Sequence, residues 1–174
     1  MMKQIRLSGS GGQGVITAAI IFAEGAVVEG KQAVQSQSYG PEARGGASKA
    51  EVIISDSFIY HPKVTHPDIV LAMTQKAADK YYHDLSQEGL LVVDEELVPH
   101  VPNHPNVIKV PITRLAVEGL GKSLFANVVA LGLLVKLSNL VQLETIKEVV
   151  ARRVPPATIE KNMEALMIGY HAID

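Results

Sequence analysis

The stretch Gly9-Ser10-Gly11-Gly12-Gln13-Gly14 lies between a short apolar run, Ile5–Ser8, and a long one that begins at Val15 and ends near Glu29. Strand, glycine turn and helix in this order are typical of the first half of a βαβ unit. The spacing G-x-G-x-x-G allows a tight turn and the close approach of an anion. Because the first N–H groups of a helix lack partners, the sequence predicts a phosphate or pyrophosphate site. The alternative is a turn that only lets the strand and the helix pack.

An acidic residue is missing where a dinucleotide-binding unit needs one. Such a unit carries Asp or Glu at the end of its second strand, about 20 residues after the glycines, to bind the ribose hydroxyls. The second strand is predicted at Ala33–Gln35, and Ser36, Gln37 and Ser38 follow it. The turn is therefore suited to phosphates, whereas NAD is disfavoured.

Composition restricts the class of protein. The chain has 174 residues, a net charge of -2 and no cysteine, which predicts one domain over residues 1–174, without disulfides or an iron–sulfur cluster of its own. The sequence has no basic run, so nucleic-acid binding is not expected. No apolar run is long enough to span a membrane. With no leader sequence visible, we expect a cytoplasmic protein. The apolar content of 47% suggests either a subunit interface, with self-association of the isolated chain as a homodimer, or a well-filled core.

Strand and helix patterns alternate along the chain. The fold class they predict is α/β: a three-layer, Rossmann-like, mostly parallel sheet with helices on both faces and a helical C-terminal segment. The residues between Ala47 and Tyr60 contain no helix pattern, so a hairpin or an antiparallel strand is expected there. Strands are predicted at Lys3–Ser8, Lys31–Gln35, Ala47–Ser55, Phe58–Tyr60, Ile69–Met73, Leu90–Asp94 and Val107–Pro111, and helices at Val15–Glu29, Gln75–Asp84, Lys122–Leu137, Leu143–Arg153 and Thr158–His171.

A second loop, Tyr39–Gly46, follows the second predicted strand. Arg44 suits a phosphate or carboxylate, and Glu42 suits ribose hydroxyls or Arg44 itself. A solvated loop with an internal Glu42–Arg44 pair is the alternative. Since both loops follow strands taken to be adjacent, we expect them to converge at one edge of the sheet. The candidate cofactor-binding residues are Gly9, Gly11, Gly12, Gln13, Gly14, Tyr39, Gly40, Glu42, Arg44, Gly45 and Gly46.

The two motifs together, Gly9–Val15 and Gln37–Gly46, resemble the gamma subunit of 2-oxoacid:ferredoxin oxidoreductases, and the resemblance extends over the whole chain. It implies a complex that oxidatively decarboxylates a 2-oxoacid such as pyruvate or 2-oxoglutarate, forms an acyl-CoA and passes two electrons to ferredoxin. Thiamine diphosphate, magnesium and iron–sulfur clusters would belong to partner alpha, beta and ferredoxin-like delta subunits. This chain would help to hold coenzyme A and would carry no catalytic residue and no metal.

Two other interpretations stay open at this point. One is a standalone nucleotide- or flavin-binding module, and the other is a structural subunit whose glycine turn binds nothing. Elsewhere, Asp94-Glu95-Glu96 is predicted to be a solvated turn, and Asn127 a hydrogen-bonded core amide or an interface contact. The histidines are not expected to bind a metal, because prolines prevent His100 and His104 from sharing a helix face.

Overall fold

The computed structural model describes residues 1–38 and 46–174, which form one six-stranded sheet and six α-helices. The strands lie in the order β2-β3-β1-β4-β5-β6. Their bounds are β1 Met2–Ser10, β2 Gln32–Gln37, β3 Ala47–Ser55, β4 Ile69–Ala72, β5 Leu90–Asp94 and β6 Val107–Val110. The helices are α1 Val15–Val28, α2 Gln75–Tyr81, α3 Ile112–Leu120, α4 Ala126–Ser138, α5 Leu143–Arg153 and α6 Ile159–Tyr170.

Strand β3 is the antiparallel member of the sheet. It pairs with β1 on one side and β2 on the other, while β1, β4, β5 and β6 form a parallel set. The predicted α/β class, the mostly parallel sheet and the antiparallel strand at Ala47–Ser55 are confirmed. The expectation that the first two strands are neighbours is wrong, because β3 lies between them.

The predicted strand at Phe58–Tyr60 does not form. Both aromatic side chains are exposed and pack edge-to-face against each other, with ring centroids 4.9 Å apart. Aromatic residues are common in strands because they pack well on a half-buried pleated surface. This segment has no such surface to cover, so the local propensity has no effect.

Helices cover both faces of the sheet, as predicted. In β1, Ile5 and Leu7 belong to the large core that includes α1 and α4. The alternate residue Arg6 points to the opposite face, where it contacts α2 and its C-terminal end. This alternation is the period of two expected for a strand covered on both sides.

Helices α4 and α6 cross at two glycines. A Cβ atom on Gly169 would overlap the carbonyl oxygen of Val129, and one on Gly132 would overlap that of Leu166. The backbones are therefore in direct contact, which only glycine permits at both positions. This crossing fixes the C-terminal helix on the core.

We expect Gly169→Ala to lower the free energy of unfolding by about 3 kcal/mol, because a rigid backbone cannot move away from the added methyl group. Gly119→Ala is the matched control, since its Cβ would meet only the terminal Cδ1 atom of Ile168, a side chain that can rotate. Urea unfolding followed by circular dichroism measures both. Equal losses in the two variants would contradict the close crossing.

A buried charge network holds α2 to the sheet. Arg6 is 3% exposed. Its guanidinium donates to Glu51 at 2.8 Å, to the Tyr81 carbonyl at 2.9 Å and to both carboxylate oxygens of Asp84. Burial alone would raise the pKa of Asp84, but the hydrogen bonds and charge of Arg6 outweigh it and hold that pKa below its usual range. Folding therefore favours the ionised form of Asp84 over the protonated form.

A second carboxylate joins α1 to α5. Glu29 accepts from the backbone N–H of Gln142 at 2.8 Å and from the Lys31 ammonium at 3.2 Å. Burial would raise the pKa of Glu29, yet the bonds from Gln142, Thr145 and Lys31 lower it overall. Ionised Glu29 is therefore favoured by folding.

Both carboxyl groups bind protons more weakly in the folded state than in the unfolded state, so acid favours unfolding. The stability they contribute is present above the unfolded pKa values of about 3.9 and 4.3 and is lost as the pH falls through the lower folded values. We expect Glu29→Gln to destabilise the chain at pH 7 and to make the fall in stability below about pH 5 shallower.

Chemical unfolding at a series of pH values between 7 and 3 measures this effect. Glu144→Gln is the control, because the Glu144 side chain is 78% exposed and pairs with Lys147, one turn along α5. An acid dependence of Glu29→Gln identical to that of the parent chain would contradict the argument.

Candidate functional site

The glycine turn between β1 and α1 has two residues in the left-handed region. Gly12 has φ 92° and Gly14 has φ 75°. Any residue with a Cβ would be strained at these angles. Gly14 is the N-cap of α1, where it supplies no side chain to bond the free N–H groups of the helix. These groups are therefore left available to a ligand.

Gln13 closes the turn on itself. Its side-chain oxygen accepts from the Ser10 N–H at 2.6 Å, and its own N–H donates to the Ser10 carbonyl at 3.2 Å. A Cβ on Gly9 would overlap that same side-chain oxygen. Gly9 and Gln13 thus give the turn its shape. The side-chain carbonyl of Gln13 accepts its hydrogen bond from within the turn.

Helix α4 begins against the turn. The Asn127 side chain donates to the Gly14 carbonyl at 3.3 Å, and a Cβ on Gly14 would lie 2.6 Å from the Asn127 amide nitrogen. Gly14 is therefore required twice, for its backbone angle and for this close approach. The expectation of a hydrogen-bonded amide at Asn127 is confirmed, although its partner is the turn and its side chain is only half-buried.

An open pocket of about 280 Å³ lies at the start of α1. The first turn of α1 contains no acidic side chain, and the helix dipole there favours negative charge. The arrangement can bind an anionic group through backbone N–H groups. The pocket is lined by Ser10, Gly11, Gly12, Gly14, Val15, Ile16 and Ser48.

Most of the second predicted loop lies outside the described residues: Tyr39, Gly40, Glu42, Arg44 and Gly45. Gly46 is described and directly precedes Ala47, which pairs with Ser10 at the last position of the β1–β3 ladder. The chain therefore returns from the second loop beside the glycine turn. This proximity results from the pairing of β3 with β1. It does not result from the expected pairing of β1 with β2.

Two residues near the turn were missed by the sequence analysis. Ser48 is buried and lines the pocket, with its hydroxyl 3.5 Å from the carbonyls of Gly9 and Ser10. The Tyr81 hydroxyl donates to the Ala47 carbonyl at 3.2 Å. Strand alternation in β3 could have placed Ser48 on the α1 face, but nothing in the sequence indicates a contact between residues 47 and 81.

The sequence analysis predicted that Asp94 belongs to a solvated turn, and this prediction is wrong. Asp94 is fully buried, and its carboxylate accepts from the N–H groups of Glu96, Leu97 and Thr113. The prediction failed because a carboxylate at a strand end can bond the start of the next helix, here α3. Asp94 thus positions α3, while Glu95 and Glu96 are exposed.

In residues 1–38 and 46–174, no group of three His, Asp or Glu residues could hold a metal ion. No helix in the same ranges is long and apolar enough to cross a membrane.

Comparisons with known proteins relate this site to one family. The model of the pyruvate ferredoxin/flavodoxin oxidoreductase family matches residues 4–172. The 2-oxoglutarate synthase subunit KorC of Methanocaldococcus jannaschii is 47% identical and aligns with 98% of this chain and 93% of its own. The gamma subunit of a keto/oxoacid ferredoxin oxidoreductase from Geobacter sulfurreducens is 46% identical, has a TM-score of 0.88 and covers 98% of this chain and 97% of its own.

A third match shows the same fold within a longer chain. The 2-oxoglutarate:ferredoxin oxidoreductase of Magnetococcus marinus has a TM-score of 0.79 at 24% identity; the match covers 98% of this chain and 29% of that one. The family model and the two relatives above 40% identity support a role in a complex and give no support to a standalone nucleotide- or flavin-binding module. The chain belongs to the pyruvate ferredoxin/flavodoxin oxidoreductase family, as a gamma subunit of a 2-oxoacid:ferredoxin oxidoreductase.

Proposed function

We propose that the glycine turn of this subunit binds the pyrophosphate group of coenzyme A. The observation that carries the proposal is the open pocket at the start of α1, where Gly12 and Gly14 turn the backbone and no side chain caps the helix. The Magnetococcus marinus enzyme was solved with 2-oxoglutarate, coenzyme A and succinyl-CoA bound, which makes coenzyme A the ligand to test first.

The sheet order favours coenzyme A over a dinucleotide. In a dinucleotide-binding unit, the strand beside β1 ends in the acid that binds the ribose. Here β1 lies between the parallel β4 and the antiparallel β3, and β3 occupies the side where a dinucleotide-binding unit has its second strand; β3 begins at that edge of the sheet with Ala47 and Ser48. An acidic residue at the end of β2 would be one strand further from the turn, and Ser36, Gln37 and Ser38 occupy that position.

The second loop completes the proposed site. Arg44 would pair with a phosphate of coenzyme A, because its guanidinium matches two phosphate oxygens at once. Glu42 would hold Arg44 or a ribose hydroxyl, and Tyr39, Gly40, Gly45 and Gly46 would shape the backbone around them. These assignments rest on the sequence motif, and all of these residues except Gly46 lie outside the described ranges.

The redox chemistry is assigned to partner subunits. In the overall reaction a 2-oxoacid, coenzyme A and two oxidised ferredoxins give an acyl-CoA, carbon dioxide, a proton and two reduced ferredoxins. Thiamine diphosphate and magnesium would serve decarboxylation in the alpha and beta subunits, and iron–sulfur clusters of the delta subunit would carry electrons. This chain has no cysteine to ligate such a cluster. Its own residues would bind and orient coenzyme A, and 2-oxoglutarate is the substrate suggested by the 47% identical relative.

We expect Gly12→Ala to raise the KM for coenzyme A in the assembled complex roughly ten- to hundredfold, because a shifted turn loses hydrogen bonds to a charged group worth about 1.5–3 kcal/mol. Arg44→Ala should have a similar effect. Decarboxylation measured without coenzyme A should be nearly unchanged in both variants.

Gly30→Ala is the matched control for Gly12→Ala. Gly30 has φ 85° at the other end of α1, and an added Cβ meets nothing within 4 Å at either position. Both substitutions should therefore cost similar backbone strain, roughly 1–2 kcal/mol, and only Gly12→Ala should change the KM for coenzyme A. If the two variants bind coenzyme A equally well, the turn is not its site.

The purified chain alone should show no oxidation of a 2-oxoacid. The assay contains thiamine diphosphate, magnesium, 2-oxoglutarate, coenzyme A and oxidised ferredoxin, and reduction of ferredoxin is followed by absorbance. Addition of the partner subunits is the positive control and should restore turnover. Turnover by this chain without partners would contradict the assignment of the chemistry to other subunits.

A further inference from the structure

The pocket at the glycine turn has a second wall formed by the start of β3. Ser48 lines the pocket beside Ser10, and its hydroxyl lies 3.5 Å from the carbonyls of Gly9 and Ser10. Ser48 thus links the turn to the start of β3. The width of the pocket depends on where the first residues of β3 lie.

The start of β3 is also the end of a ladder. The β1–β3 pairing runs from Met2 and Ser55 to Ser10 and Ala47, where it stops. The last pair of a ladder is held from one side only, so it opens more readily than the pairs behind it. Any additional bond to Ala47 will therefore determine how well the pocket wall is fixed.

From this geometry we infer that Tyr81 is a positioning residue for the proposed coenzyme A site. Its hydroxyl donates to the Ala47 carbonyl at 3.2 Å, and the ring and Ala47 belong to the same buried cluster. Tyr81 is the last residue of α2, on the opposite face of the sheet from α1. The inference rests on the proposed function, and it extends the site to a side chain that touches no ligand.

The position of Tyr81 is itself fixed. Arg6 donates to the Tyr81 carbonyl at 2.9 Å and to both carboxylate oxygens of Asp84, which holds the end of α2 on β1. The Lys49 ammonium lies 5.7 Å from the centre of the Tyr81 ring. The hydroxyl is therefore presented to Ala47 by a rigid support, as a pre-organised site requires.

Removal of this hydroxyl should affect binding and not chemistry. Tyr81→Phe keeps the buried ring and deletes one hydrogen bond, which leaves the Ala47 carbonyl without that partner. If the start of β3 is less ordered in the free protein, ordering it on binding costs free energy and lowers the affinity for coenzyme A. We expect the KM for coenzyme A to rise about three- to tenfold, the effect of one neutral hydrogen bond, with kcat at saturating coenzyme A unchanged.

The test uses the assembled complex with varied coenzyme A, together with amide hydrogen exchange of the peptide that contains residues 7–16. Tyr82→Phe is the control, because it removes the same atom from the adjacent residue, whose ring packs against His83. Support requires a raised KM, an unchanged kcat and faster exchange at the turn in Tyr81→Phe, with none of these changes in Tyr82→Phe.

Two results would overturn the inference. If Gly12→Ala raises the KM for coenzyme A but Tyr81→Phe does not, the proposed function stands and Tyr81 has no positioning role. If the exchange at the turn is faster in Tyr81→Phe while neither variant changes the KM, the hydroxyl orders the turn but the turn does not bind coenzyme A, so the proposed function fails.

Discussion

The antiparallel pairing of β3 with β1 is the constraint on which the rest of the site depends. This ladder begins at Met2 and Ser55 and ends at Ser10 and Ala47. It places β2 at the edge of the sheet, away from the glycine turn. The same pairing places Ala47, which follows the second motif, beside Ser10 of the glycine turn. Strand β3 thus occupies the place of the strand that carries the ribose-binding acid in a dinucleotide-binding unit. Its residue Ser48 lines the pocket at the turn.

The two faces of the sheet are stabilised by different means. One face is buried under a large apolar core that includes α1 and α4. The other is covered by the short helix α2, whose end is held by buried Arg6 through the Tyr81 carbonyl and Asp84. A buried ion pair often adds little net stability compared with apolar packing, but it requires one specific geometry. That requirement suits the face on which the Tyr81 hydroxyl must meet the Ala47 carbonyl.

The sequence predicted the elements that depend on local patterns, and it failed where distant segments meet. The turn at Gly9–Gly14 and the continuous apolar run Leu90–Asp94 are read from spacing alone. The insertion of β3 between β1 and β2 depends on which edges pair, which no local pattern specifies. Asp94 was misjudged for the same reason, because its partner at Thr113 lies 19 residues away. At Phe58–Tyr60, strand propensity was present but a surface to pack against was not.

On the proposed function, the glycine turn would hold one part of coenzyme A. A cavity of about 280 Å³ is at the lower limit of those that enclose a drug-sized ligand, roughly 300–1,000 Å³, whereas coenzyme A carries a nucleotide, a pyrophosphate and a long pantetheine arm. The turn can therefore hold the charged centre of the molecule and leave both ends outside. The reactive thiol lies at the far end of that arm, and on the proposed function a partner subunit would receive it. On the proposed function, this chain binds coenzyme A at its phosphates. Its contribution to the reaction is to orient the pantetheine arm.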